Sequence, residues 1–112
     1  MNMQQAAEEI GISVEAYRSL CSLFLKTTKN NLQSLARAVE EERRGTIAEQ
    51  THHIKGAASN MEFGKLMKEA EKLNRAAADA PASELKRHAE KISLLFEEIE
   101  AVLGDAQFGE AQ

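Results

Sequence analysis

The stretch GISVEAYRSLCSLFLKTTKNNLQSL, residues 11–35, decides the fold class through the spacing of its apolar residues. Gly11 is typical of the end of a preceding helix, and Ser13 is a typical N-cap. The stretch therefore predicts one long amphipathic helix that follows a short leader helix at about residues 3–10. The apolar residues recur at steps of three and four, the period of one helix face, and they include Tyr17, Leu20, Cys21, Phe24, Leu32 and Leu35.

The rest of the chain repeats this helical period and shows no strand-like alternation. The charged run EEERRG is expected to end the long helix at Gly45. Further helices are predicted over about residues 46–61, 63–77 and 82–103. Pro81 marks the break before the last of them, because proline cannot continue a helix interior.

Long amphipathic helices joined by short connections predict the architecture. The pattern indicates an all-α protein, an antiparallel up-down four-helix bundle with a short N-terminal leader helix. We expect residues 1–104 to form this domain. Residues 105–112 have no helical period, and we expect them to form a flexible tail.

Composition excludes several classes of function. The chain has 112 residues, 14 of them basic and 18 acidic, for a net charge of −4, which argues against broad nucleic-acid binding. No apolar run is long enough to span a membrane, and the first residues lack the features of a signal peptide. A single cysteine, Cys21, cannot form an internal disulfide. We therefore expect a cytoplasmic protein, and Met1 favours a free-standing one over an excised module.

The segment THHIKGAASN, residues 51–60, carries the candidate chemistry on the third helix. At about 100° per residue, His52 points away from the apolar face, whereas His53 lies on the flank. The residues that share the outward face with His52 include several small ones, where a solvated helix face usually carries long charged side chains. The residues on the face of His52 include Ala48, Lys55, Gly56 and Ser59.

These residue types suit one chemistry in particular. Gly56 costs about 1 kcal/mol relative to alanine inside a helix, but it clears the approach to His52. Lys55, three residues after His52, can neutralise a negative group on the imidazole. An exposed nucleophile with a nearby cation suits phosphoryl transfer, which depends on positioning and charge stabilisation. The plainer reading, a solvated histidine and a tolerated glycine, stays open at this point.

Two other uses of the histidines are less favoured. His53 is the alternative acceptor, but its flank position argues against it. A metal site would need ligands that converge, whereas adjacent histidines diverge by about 100° on a helix. Of the remaining candidates, His88 lies at the edge of the apolar stripe of the last helix, and Cys21 lies within the apolar stripe of the long helix. We therefore expect no metal site on this chain.

The run His52-His53-Ile54-Lys55-Gly56 resembles the His-x-Leu/Ile-Lys-Gly signature of histidine-containing phosphotransfer (HPt) domains of two-component phosphorelays. Residues 11–35 resemble the first long helix of that family, and FGKLMKEAEKLN, residues 63–74, resembles the helix after the histidine. Family members often have glycine near position 62, where this chain has Glu62. The resemblance covers almost the whole chain.

The resemblance implies a role for each residue of the site. His52 would be phosphorylated on a ring nitrogen, Lys55 would stabilise the phosphoryl group, and Gly56 would keep the histidine accessible. Asn74 matches the position of a polar neighbour of the acceptor. Residues expected to contact the partner are His53, Ala48, Ser59 and Asn74.

The resemblance also implies the partners. Phosphate would pass between His52 and an aspartate of a receiver domain. The partner would be a response-regulator receiver domain, a hybrid histidine kinase, or both. The chain would be a monomeric phosphocarrier without ATP-dependent kinase activity and without a cofactor of its own. The Mg²⁺ that such transfers use would lie in the receiver domain. The alternative is a non-catalytic helical adaptor that binds a signalling partner without phosphotransfer.

Overall fold

Five helices account for the secondary structure of the computed structural model, which describes the backbone of residues 2–111 and the side chains of residues 2–104. No strand occurs in that described backbone, so the predicted all-α class is confirmed. Among the helices described, none combines the length and apolarity that crossing a lipid bilayer requires. The helices are α1 Met3–Ile10, α2 Val14–Glu40, α3 Arg44–Asn60, α4 Gly64–Ala76 and α5 Ala82–Ala111.

The four long helices enclose one core. Helix α2 packs against α3 and α5, α4 packs against the same two helices, and α1 packs against α2. The predicted leader helix is therefore present, while the antiparallel up-down order of the long helices stays a prediction. Burial of apolar side chains from every helix stabilises this arrangement, and fully buried examples are Tyr17, Leu35, Ile47, Ile54, Leu66, Leu73, Leu85 and Ile92.

The predicted cap at the start of α2 is confirmed, but the predicted end of that helix is wrong. Ser13 accepts a hydrogen bond of 3.1 Å from the backbone N–H of Ala16. Helix α2 stops at Glu40, and Gly45 instead lies in the first turn of α3. The turn is made by Glu42, which has a φ of 53°. Backbone hydrogen bonds from Glu42 to Val39 and from Arg43 to Ala38 close it without a glycine.

The turn after α3 has the same form. Glu62 has a φ of 61° in the left-handed region, at the position where the resemblance gives glycine. Its N–H bonds the Ser59 carbonyl at 3.1 Å, and the N–H of Phe63 bonds the Ala58 carbonyl at 2.9 Å. This pair of bonds is the Schellman arrangement, in which glycine is the usual left-handed residue. The chain thus makes the expected turn with a less favourable residue.

The last helix is longer than the predicted segment 82–103, since its backbone continues to Ala111. The side chains of residues 105–111 and the whole of residue 112 lie outside the described part of the chain. The flexible tail expected over residues 105–112 therefore stays a prediction.

Candidate functional site

Helix α3 presents both adjacent histidines to solvent. The side chains of His52 and His53 are exposed, and their ring centroids lie 6.1 Å apart. The buried face of the helix consists of Ile47, Thr51, Ile54 and Ala58, continued by Met61. Relative to the centre of that face, His52 and His53 lie at about 140° and 120° on opposite sides. Exposure alone therefore does not separate the two histidines, because the burial of Thr51 shifts the core-facing direction.

The neighbours of the two histidines do separate them. At about 100° per residue, Lys55 lies about 60° from His52 but about 160° from His53. Ala48, which contacts α4 through its carbonyl, lies about 40° from His52 and about 140° from His53. His52 is therefore the histidine on the side of α3 that carries the lysine and faces α4.

Lys55 and Gly56 leave this side of α3 open. The lysine is half-buried and forms no ion pair with another residue of the described set, so its ammonium is available to an anion. Gly56 is exposed, and a Cβ built on it meets nothing within 4 Å. The open space beside Gly56 can therefore admit a group from another molecule next to His52.

Asn74 on α4 contacts α3 at the turn that precedes His52. Its side-chain amide donates to the Ala48 carbonyl oxygen at 2.8 Å and to Thr51 Oγ1 at 3.1 Å. These described bonds of the amide nitrogen go to α3 and not to the imidazole of His52. Sequence reasoning missed both the burial of Thr51 and this bridge, because they depend on the register between two helices.

The other residues expected to contact a partner differ in accessibility. Ser59 is exposed and Ala48 is half-buried. Asn74 is also half-buried, with its amide nitrogen already bonded to α3. Their contacts with a partner, together with that of His53, stay predictions.

The third histidine and the cysteine lie away from this site. His88 on α5 bonds Glu69 of α4 at 2.7 Å, which agrees with its predicted place at the edge of the apolar stripe. Cys21 is fully buried, and burial raises the pKa of its thiol. Within the described residues, no three His, Cys, Asp or Glu side chains form a group that could hold a metal ion.

A match to a protein-family model shows the family of the chain. The model of the Hpt domain matches residues 19–106, which is more than half of the chain. The chain belongs to the Hpt domain family. As an Hpt domain it has a phosphotransfer role in two-component systems, whose receiver domains and histidine kinases are the typical partners of the family. The matched region of this Hpt domain includes α3 with His52 and α4 with Asn74. No curated protein and no solved structure gave a significant match to the chain.

Proposed function

We propose that His52 accepts a phosphoryl group from, and returns it to, an aspartate of a receiver domain. The observation that supports this most directly is the arrangement of three residues on α3. His52 is exposed, Lys55 lies on its side of the helix without an ion pair among the described residues, and Gly56 leaves the space beside it open. His53 has the exposure but not the lysine.

The chemistry needs little from this chain beyond the imidazole. A neutral ring nitrogen of His52 attacks the phosphorus of an aspartyl phosphate, because only a ring nitrogen without a proton has a lone pair to form the new bond. A P–N bond forms as the P–O bond to the aspartate breaks, and the carboxylate leaves with the electron pair of that bond. The proton of the other ring nitrogen is released when the phosphoimidazole becomes neutral, and the reverse reaction takes it up again.

Charge stabilisation is divided between the two proteins in this proposal. Lys55 offsets the charge of the phosphoryl group on His52, as cations do in other phosphoryl transfers. The Mg²⁺ ion belongs to the acidic site of the receiver domain. The chain carries no glycine-rich nucleotide loop, which supports a phosphocarrier without ATP-dependent kinase activity.

We also propose that the chain is a monomer in the cytoplasm and that it is folded as an antiparallel up-down bundle. Two contacts between α2 and α5 together support their antiparallel order, and the first is the ion pair of 3.7 Å between Lys29 and Glu100. The second is a groove that α2 lines with residues after Lys29, from Leu32 to Glu40, and that α5 lines with residues before Glu100, from Ala82 to Leu94. Helices that run in opposite directions are expected to meet in this way.

The test is phosphate transfer from phosphorylated receiver domains to the purified chain. Acid-labile phosphate is followed on wild type, His52→Gln and His53→Gln, with circular dichroism to show that all three are folded. We expect wild type and His53→Gln to accept phosphate and His52→Gln to accept none. Transfer to His52→Gln at the wild-type rate would contradict the assignment, and a wild type that binds receivers without accepting phosphate would favour the adaptor.

A further inference from the structure

A hydrogen-bonded bridge joins α4 to the turn of α3 that carries His52. The two N–H groups of the Asn74 amide have two acceptors, the Ala48 carbonyl oxygen at 2.8 Å and Thr51 Oγ1 at 3.1 Å. The Thr51 hydroxyl in turn donates to the Ile47 carbonyl at 2.8 Å and lies 3.1 Å from the Ala48 carbonyl. Thr51 is fully buried, so this bridge is shielded from water on its inner side.

The carbonyl that Asn74 holds is the one directly connected to the backbone of His52. In an α-helix each N–H bonds the carbonyl four residues earlier, so the Ala48 oxygen accepts the N–H of His52. A carbonyl oxygen has two lone pairs, and Asn74 takes the second. Asn74 therefore fixes the His52 backbone against α4 through one shared atom.

We propose that Asn74 is a positioning residue for His52, acting through the Ala48 carbonyl and Thr51 rather than by touching the imidazole. The inference rests on the proposed function of His52. Asparagine reaches the backbone of α3 and saturates both of its amide hydrogens there. The imidazole itself has no hydrogen-bond partner among the described residues, so the direction of attack depends on how firmly its backbone is held.

In-line transfer makes such support matter. The attacking nitrogen must reach the phosphorus along one line, and catalytic groups need to be held within about 0.5 Å of the productive geometry. Displacement by about 1 Å can slow a reaction about a hundredfold. Asn74 holds α3 at Ala48, one turn before His52. The bridge therefore restricts this displacement without covering the histidine.

The test removes the donors of the bridge without adding charge. In Asn74→Leu we expect the initial rate of phosphate transfer from a receiver domain to fall at least about tenfold. Hydrogen exchange measured by NMR should become faster at the His52 amide, more than at the amides of α5. Asn74→Gln keeps the amide, and we expect its rate to lie closer to wild type. Asn31→Leu, also half-buried but on α2, is the matched control and should transfer at the wild-type rate.

A second pair of variants covers the case in which Asn74→Leu does not fold. Thr51→Val removes one acceptor of the bridge, and Thr28→Val makes the same change at a fully buried threonine of α2. We expect Thr51→Val to slow transfer several-fold and Thr28→Val to leave it unchanged.

The outcomes distinguish this inference from the proposed function. Wild-type rates and unchanged His52 exchange in folded Asn74→Leu, or in Thr51→Val if that is the only folded variant, would overturn the positioning role alone. A loss of protection spread evenly over α3, α4 and α5 would show a merely structural role and would also overturn it. A wild type that accepts no phosphate from receiver domains would overturn the proposed function, and the positioning role with it.

Discussion

The carboxylate of Glu69 on α4 accepts a hydrogen bond of 2.7 Å from Nδ1 of His88 on α5. The same carboxylate lies 3.3 Å from Lys91 Nζ and 3.8 Å from Lys72 Nζ. Glu69 is only 4% exposed, and burial alone would raise the pKa of its carboxyl group. The hydrogen bonds from His88 and Lys91 and the two lysine charges outweigh burial and hold that pKa below its ordinary value.

Glu69→Gln should therefore lower stability in a pH-dependent way. Because the pKa of Glu69 is lower in the folded state than in the unfolded state, the stabilisation is present above the unfolded value, about 4.3. It is lost as the pH falls through the folded value. We expect Glu69→Gln to lose about 2 kcal/mol of unfolding free energy at pH 7, and the difference from wild type to shrink below about pH 4.

Urea unfolding at several pH values measures this difference. Glu71→Gln is the matched control, since Glu71 forms a surface ion pair of 2.7 Å with Arg75 one helix turn away. We expect that control to lose less than about 0.5 kcal/mol. Equal losses for the two variants, or a loss for Glu69→Gln that does not change with pH, would show that the buried pair does not link α4 to α5.

Gly56→Ala should stabilise the chain and slow its reaction. A Cβ at Gly56 meets nothing within 4 Å, so alanine fits and should raise the unfolding free energy by up to about 1 kcal/mol. The added methyl group enters the space through which a receiver must approach His52. We therefore expect slower transfer from receiver domains, measured as initial rates beside thermal unfolding.

Gly104→Ala provides the comparison, because it makes the same substitution inside α5, where a Cβ also meets nothing within 4 Å. Its transfer rate should equal that of wild type. If Gly56→Ala also transfers at the wild-type rate, the glycine does not serve access to His52.

Glu62→Gly should stabilise the turn between α3 and α4. Glu62 has a φ of 61°, and the left-handed conformation costs a non-glycine residue roughly 1–2 kcal/mol. Glycine adopts that conformation freely but loses more chain entropy on folding. We expect a net gain of about 1 kcal/mol in unfolding free energy for Glu62→Gly, and little change for Glu62→Ala, which keeps the strain. A lower stability for Glu62→Gly would be inconsistent with a strained turn.

The sequence predicted the helices better than the turns between them. The period of three and four residues placed each helix, because the core-facing side of an amphipathic helix repeats along the chain. It did not predict that Glu42 and Glu62 adopt left-handed conformations, because packing of the adjoining helices and the closing hydrogen bonds impose them. The predicted end of α2 at Gly45 is wrong, because this glycine, a residue type common just after a helix, lies in the first turn of α3.

At the candidate site, His52, Lys55 and Gly56 were identifiable from the chain because they share one helix and one face. The residues that Asn74 and Glu69 contact were not identifiable from the sequence. Each of them contacts a neighbouring helix, and the apolar pattern of a single helix does not give its register against another helix. Thr51 was also missed, because a threonine on the core face does not stand out in an apolar pattern, although its hydroxyl bonds the backbone one turn earlier.

The identity of the phosphorylated residue tests the proposed role of His52 most directly. The chain has three histidines, so its ring nitrogens can be followed individually by NMR after ¹⁵N labelling and incubation with phosphorylated receiver domains. We predict that phosphorylation changes the ring signals of His52 alone, with a nitrogen–phosphorus coupling on that ring. A coupling on His53 or His88, or phosphate on no histidine at all, would contradict it.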